Sequence, residues 1–396
     1  MKYDLAVIGG GISGLGFAHF AARRGLKAIV LEKSRQAGGC INTVRRPDGF
    51  WCELGAHTCY NSYATLIGII EELDLTGLVR PRRKLPFLMT DGTSTRSIAS
   101  SLDFLELAIG LPRLAYLRRR GRTVRGFFEP LVGRRNYARV IRPAMNAVIC
   151  QDADDFGAEF VFKKRPRHKD FPRSFTMEGG LGTLVGAMIS KSGFEMRTGA
   201  AASRIERAGP LYRICTDNES GGIHIESRLL ALATPAPETS RLLENIAPEL
   251  SAQLARICTS TLHSFAHIAP SREFNLPRIA GLIPAGDSLP YRSAVSRDVS
   301  CEEENLADET TRALTYHCKE PGMPMAAHQA RATVRLPHLA PAHREWIKLL
   351  DDLNGRGLFG DTLFITGNYF GGLAMEDCLL RSHALQKTLF AGKPLG

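Results

Sequence analysis

The hydrophobic positions of this chain fall into short unbroken runs set off by glycine-rich turns, the pattern of a parallel sheet buried on both faces. The first run, Leu5-Ala6-Val7-Ile8, leads into Gly9-Gly10-Gly11-Ile12-Ser13-Gly14, and the next, Ala28-Ile29-Val30-Leu31, closes on Glu32. That spacing predicts a strand, a turn, a helix, a second strand and an acid at its end. Later runs predict a strand at residues 200–205, its partner at 211–214, a buried parallel strand at 229–235 and another at 363–366. A turn at 175–184 opens a helix, and a further helix is expected over 238–255. From 260 to 336 apolar and polar residues alternate, as in Ser264-Phe265-Ala266-His267-Ile268, which predicts an antiparallel sheet walling a cavity. Residues 102–109 carry apolar side chains at helical spacing; Pro112 interrupts the stripe and Leu114-Ala115-Tyr116-Leu117 resumes it.

The first turn carries chemistry as well as geometry. Gly9 allows a tight bend, Gly11 lets backbone amides approach a pyrophosphate, and Gly14 lets the helix lie close to the sheet. The helix N-terminus, with Ser13 in its first turn, offers N–H groups and a positive dipole to phosphates. Glu32, with Lys33 beside it, is placed to accept hydrogen bonds from a ribose. Glycine turns also join strands to helices for structural reasons alone, but here strand, helix and acid share one register. A bound dinucleotide is the expectation.

Which dinucleotide follows from what comes next. Gly38-Gly39, followed by Cys40-Ile41-Asn42-Thr43, resembles the double-glycine extension of FAD enzymes in the amine oxidase, protoporphyrinogen oxidase and phytoene desaturase superfamily. That superfamily usually has an arginine where this chain has Cys40, so a phosphate or flavin contact is weaker here or made by another residue. Gly49-Phe50-Trp51-Cys52-Glu53-Leu54-Gly55-Ala56-His57 is similar to a second landmark, with Glu53 in place of the usual aspartate. Gly179-Gly180-Leu181, Ala202 and Thr234-Pro235 follow in the family's order. Gly367-Asn368-Tyr369-Phe370-Gly371-Gly372-Leu373-Ala374-Met375 looks most like protoporphyrinogen oxidases.

The resemblance implies an α/β fold: an FAD-binding Rossmann-like domain (GR2-type) with a discontinuous α+β substrate domain containing an antiparallel sheet and a helical insertion. FAD-binding parts are expected at 1–79, 173–257 and 356–396, the helical part of the substrate domain at 80–172 and its sheet at 258–355. The implied cofactor contacts are Gly9, Gly11, Ser13, Gly14, Glu32, Lys33, Gly38, Gly39, Cys40, Gly55, Ala56, His57, Ala202, Thr234, Gly367, Asn368, Gly372, Leu373, Ala374 and Met375. His57 is placed by the flavin, or else is satisfied by local backbone. The implied reaction removes hydride from a C–H or C–N centre of a small hydrophobic or tetrapyrrole-like substrate, with the flavin doing the chemistry, no protein catalytic residue assigned and dioxygen as an acceptor. Protoporphyrinogen oxidases usually carry an arginine where Pro86 stands, which shifts any substrate clamp to Lys84, Arg83 or Arg96; Tyr369 is a further substrate candidate. Rival readings are a carotenoid or terpenoid desaturase, an amine oxidase, and a flavin mutase or binding protein without net redox chemistry. An amine oxidase would place a lysine near residues 261–268, where this chain has His263 and His267.

Composition narrows the setting. The 396 residues exceed one hydrophobic core, which predicts two joined domains. No uncharged apolar run reaches the roughly 18 residues of a membrane span, and the early core strand leaves no room for a signal peptide. Nine cysteines without a CxxC pair read as reduced thiols in a cytoplasmic protein, with no metal site and with covalent flavin attachment the minor alternative. The net charge of +11 concentrates between residues 111 and 142, where ten arginines face only Glu129. Such density attracts anions; no nucleic-acid module accompanies it, so nucleic acid is not an expected partner. The stripe at 102–117 ending in arginines would suit a membrane interface or a helix packed on its own sheet, the second being preferred. A monomer or homodimer is expected.

Overall fold

In the structure, a computed structural model that describes residues 2–217, 222–287, 289–297, 311–321, 329–356 and 360–390, the apolar runs assemble as one twisted sheet. Its parallel part runs Glu195–Arg197, Ala28–Leu31, Lys2–Ile8 and Ile223–Leu232. The far edge of Ile223–Leu232 is shared: its first half pairs antiparallel with Leu211–Asp217, and its end pairs parallel with Leu363–Ile365. Ala201–Ala208 completes the meander. Both faces of the parallel strands are buried, which is why they read as continuous apolar runs.

Helices cover each face. Ile12–Ala22, Ala64–Glu72, Gly182–Lys191 and Met375–Phe390 pack on one side over Leu5, Val7, Val30 and Ala231. The first of these, Ile12–Ala22, is buried nearly all round; a Cβ on its Gly16 would lie 2.4 Å from Leu379 Cδ2, so that glycine lets the closing helix approach. On the other face the helix expected over 238–255 is two helices, Ala236–Leu243 and Pro248–Ala255. Pro248 cannot donate an N–H into a preceding helix and instead starts a new one.

The second sheet runs in the order Ala330–Pro337, Thr259–Pro270, Thr311–Cys318, Tyr291–Arg297, Ala280–Pro284, Phe87–Thr90 and Thr95–Ser97. It is antiparallel except where Ala280–Pro284 meets Phe87–Thr90. The last two strands come from a segment expected to be helical. One face of this sheet, with Ala266, Ile268 and Ala313, packs on Phe50, Cys52 and Leu54 of the hairpin Thr43–Arg45/Trp51–Glu53. That contact sets the second sheet against the first domain.

The insertion corrects a second expectation. Phe104–Gly110 is helical, but around Pro112 the stripe continues only as the 3₁₀ turn Leu111–Ala115, and it does not pack on its own sheet. Among the described residues no helix is long and apolar enough to cross a membrane, and no group of His, Cys, Asp or Glu is arranged to hold a metal. Cys301 lies outside the described residues.

Candidate functional site

At the carboxyl ends of the parallel strands lies a cleft of ≈ 740 Å³. Of the sequence-selected residues, Gly9, Gly11, Ser13, Glu32, Lys33, Gly39, Cys40, Ala56, Ala202, Thr234, Gly367, Asn368, Leu373 and Met375 line it. They come from six separate stretches of chain. The sheet order brings them together because the crossover strands all end on the same side.

The glycines of the first turn divide by role. Gly9 has φ +109°, and a Cβ there would lie 2.7 Å from the Ala233 carbonyl oxygen; one on Gly14 would lie 2.0 Å from the Gly9 oxygen. Those two hold strand and helix together. A Cβ on Gly11 would meet only Gly39 Cα, at 3.8 Å, and otherwise point into open space. Gly11 therefore keeps the cradle clear beside the N-terminus of an eleven-residue helix, Ile12–Ala22.

Glu32 is fixed across the turn: its Oε2 accepts from the Gly10 N–H at 2.7 Å and its Oε1 from the Ser34 N–H at 2.8 Å. Its backbone carbonyl accepts from Ala200 N at 2.9 Å, and it lines the cleft together with Ala200, Ala201 and Ala202. Gly38 stays outside the lining and donates its N–H to the Gly10 carbonyl at 2.8 Å. A Cβ on Gly55 would lie 2.0 Å from the Cys40 carbonyl, so this glycine closes the backbone behind the cleft. Burial pushes the Cys40 thiol up to about 11 and the Cys378 thiol, also on the wall, up to about 12, so both are neutral and neither replaces a cation.

Cations reach the cleft from elsewhere. Arg241 lines it while donating to the carbonyls of Ser203 at 3.0 Å and Ala202 at 3.2 Å. Arg335, on the second sheet, pairs with Glu238 of the first domain at 2.9 Å, and both line the cleft. Sequence reasoning missed Glu238, Arg241 and Arg335. The alternation through Ala330–Pro337, where Arg331, Thr333 and Arg335 are the exposed positions, was the available signal.

Several candidates sit apart from this lining. Gly372 and Ala374 belong to the turn before the last helix; a Cβ on Gly372 would fall 2.5 Å from Asp377 Oδ2. Lys163 and Arg165 of the insertion converge on that carboxylate at 2.9 and 2.7 Å, and Lys163 also donates to the Gly371 carbonyl. Tyr369 is fully buried, its hydroxyl 3.4 Å from Thr239 Oγ1. Lys84 and Arg96 are exposed and line neither this cleft nor the smaller void described next.

His57 pairs with a ring rather than with local backbone. Its Nε2 lies 3.0 Å from Nε2 of His317 on the second sheet, and the Nδ1 of His317 lies 2.9 Å from Ser264 Oγ. Beside the pair is a water-sized void of ≈ 20 Å³ lined by Trp51, Glu53, Arg297 and Thr315 among others. Burial, then the charges of His317, Arg82 and Arg297, hold His57 well below its ordinary value; burial pushes His317 down to about 4. One ring donates and the other accepts, which excludes protonation of both rings at once, and burial favours the neutral form of each. A depressed folded pKa means that the unfolded chain binds more protons once the pH drops below about 6.5. Stability is then complete above that pH and is lost on acidification toward 4. For His317 alone the loss at about pH 5 is ~2 kcal/mol. His317→Gln, which cannot titrate, is expected to shrink by that amount the difference between urea unfolding free energies at about pH 7 and pH 5. An unchanged difference would show that His317 titrates normally.

Residues 7–73 match the profile described as an NAD(P)-binding Rossmann-like domain. Mitochondrial protoporphyrinogen oxidase of Nicotiana tabacum is 24% identical over 276 residues, which is 60% of this chain and 52% of that protein. Coproporphyrinogen III oxidase of Propionibacterium freudenreichii subsp. freudenreichii is 30% identical over 183 residues, 37% of this chain and 34% of that one. The alignments thus span about half and about a third of these curated relatives. A structure from Exiguobacterium sp. 255-15 named for protoporphyrinogen oxidase superposes with TM-score 0.76 over 98% of both chains at 16% identity. The chain has the protoporphyrinogen oxidase-like fold. A fatty acid isomerase from P. acnes that produces CLA shares it, with TM-score 0.72 and 15% identity over 98% of this chain and 99% of that one. The matched profile ends at residue 73, yet the cleft is also lined by Ala202, Thr234, Arg335 and residues of the 367–375 turn. The cleft is assembled by the whole fold.

Proposed function

We propose that the chain is an FAD-dependent oxidoreductase that takes hydride from a C–H or C–N centre of a small hydrophobic or tetrapyrrole-like substrate, in the manner of protoporphyrinogen oxidases. One observation carries the reading: a single cleft of ≈ 740 Å³ is lined by Glu32 and Ala202 and also by Cys40, Ala56, Gly367 and Leu373. That volume is room for a dinucleotide. Bound FAD supplies the hydride acceptor. The chain's own residues do the rest: Gly11 and the helix N-terminus receive the phosphates, Glu32 the ribose, and the backbone at Gly367–Met375 the far ring system.

Dioxygen is the simplest acceptor, and a monomer or homodimer in the cytoplasm, in peripheral contact with a membrane, is the working form. A second reading has an observation of its own in the isomerase that shares the fold. On that reading the substrate is a lipid and FAD ends the cycle oxidised. Amine oxidation is less well supported, since Thr259–Pro270 carries no lysine.

The test is the visible spectrum of the purified protein under anaerobic conditions with protoporphyrinogen, coproporphyrinogen, a polyene, an amine or an unsaturated fatty acid. Bleaching by a porphyrinogen is expected. Bleaching by an amine alone would move the protein to the amine oxidases, and fatty acid isomerisation without net bleaching would favour the second reading. A colourless protein that takes up no FAD would end the proposal.

A further inference from the structure

The helical insertion carries a surface that runs against the ordinary rule for water-exposed helices. Asp103 caps the helix Phe104–Gly110, its Oδ1 accepting from Leu105 N and Glu106 N at 3.1 Å each. Glu106 turns inward and accepts from Arg135 N and Asn136 N at 3.0 and 2.9 Å, while Asn136 bonds the backbone of Asp103 on both sides. Gly110 is buried against the Leu131 carbonyl. The polar residues of this helix thus face the protein and fix it there, leaving its apolar residues outside. Phe104, Leu105 and Ile109, with Leu111, Leu114 and Tyr116 of the next turn, are exposed by between 47% (Leu111) and 73% (Leu105).

Around this face the basic segment divides in two. Arg125 pairs with Glu129 and Asp154, Arg135 with Asp103, and Arg142 with Asp152, Asp154 and Asp287. Arg118, Arg120 and Arg122, which follow Tyr116 directly, are exposed and make no ion pair among the described residues. Contiguous apolar side chains collared by uncompensated arginines match the chemistry of a bilayer with anionic headgroups: rings and leucines enter below the phosphates, and guanidinium groups bind them. A second copy of the chain is a poorer occupant, because a self-interface would bring two sets of unpaired arginines together.

We propose that Phe104, Leu105, Ile109, Leu111, Leu114 and Tyr116 insert into an anionic membrane surface, with Arg118, Arg120 and Arg122 on its phosphates. This deepens the peripheral-contact part of the function proposed above and does not depend on the cofactor or the substrate. The same insertion is tied to the start of the last helix through Lys163 and Arg165 on Asp377.

The experiment is cosedimentation of the full-length protein with vesicles of phosphatidylcholine alone or mixed with phosphatidylglycerol. Binding to the mixed vesicles, much weaker binding to phosphatidylcholine, and loss at high salt are expected. Phe104→Asp combined with Ile109→Asp is expected to lower partitioning at least ~10-fold. Each of Arg118→Gln, Arg120→Gln and Arg122→Gln is expected to lower it about fivefold. None of these side chains is buried or lines the cleft, so FAD uptake and melting temperature stay at wild-type values; this separates failure of docking from failure of the cofactor reading. Wild-type protein left in the supernatant with both vesicle types, or aspartates without effect, would overturn the proposal. So would a sedimentation-velocity dimer that dissociates in the aspartate variant, which would make the face a self-interface.

Discussion

Gly11→Val is expected to give a folded protein that no longer retains its dinucleotide, whereas Gly14→Ala fails to fold stably. The two substitutions add similar atoms three residues apart in one turn, and their outcomes differ because their surroundings differ. Gly11 has φ −77°, which any residue adopts, and its side-chain direction is empty apart from Gly39 Cα at 3.8 Å. Branched methyl groups there fill the space proposed for the pyrophosphate and cost the folded chain nothing else. A loss of at least ~100-fold in FAD affinity, about 2.7 kcal/mol, is expected. At Gly14 a methyl would sit 2.0 Å from the Gly9 oxygen and 3.1 Å from Ala233 Cβ, with a rigid strand on the other side. The helix must lift off the sheet that it buries, at a cost of about 3 kcal/mol or more. Fluorescence titration of apoprotein with FAD and urea unfolding of both variants check the pair. Wild-type affinity in Gly11→Val would mean that the cleft is not the dinucleotide site.

The contrast also marks what the sequence could and could not disclose. Strand, turn, helix and acid were legible because each is local: a run of four apolar residues, a glycine cluster and one carboxylate in register. What the sequence could not name is the partner against which Gly9 and Gly14 pack, Ala233, more than two hundred residues away. Cross-domain pairs were invisible for the same reason. Nothing near His57 points to His317, and nothing near Glu238 points to Arg335, because the second sheet brings them together only after folding. The insertion shows a further limit. Helical spacing revealed a stripe in residues 102–109 but not which way it faces, and the preference for inward packing assumed the usual sense of burial. Asp103, Glu106 and Asn136 reverse it by binding the polar side. Lys84 and Arg96 were chosen for charge near a missing arginine, and both lie on exposed positions away from the cleft.

Glu53→Ala is expected to remove about 3 kcal/mol of stability without touching a cofactor contact, which separates the second sequence landmark from the first. Glu53 does not line the cleft; its carboxylate is buried beneath the hairpin, where Oε2 accepts from Thr43 Oγ1 at 2.9 Å and Oε1 from Leu181 N at 2.7 Å. Thr43 Oγ1 accepts in turn from Gly182 N at 2.8 Å. One carboxylate thereby ties the hairpin at residues 43–53 to the start of the helix Gly182–Lys191, two stretches far apart in the chain. Burial raises its pKa, opposed by those two hydrogen bonds and by Arg82 and Arg45. Alanine leaves the Leu181 N–H and the Thr43 hydroxyl without acceptors, at ~1–3 kcal/mol for each buried group, and opens a small cavity. Glutamine is a sharper probe. Its carbonyl can still serve Leu181, but its amide must donate to Thr43 Oγ1, which already accepts from Gly182, so the threonine hydroxyl loses its acceptor. Glu53→Gln is therefore expected to fall between wild type and Glu53→Ala, by about 1–2 kcal/mol. Urea unfolding measures both, with FAD affinity of the folded variants as the control. Affinity lost in step with stability would place Glu53 in the cofactor site after all, and a neutral Glu53→Ala would show that the hairpin is held by Phe50, Cys52 and Leu54 alone.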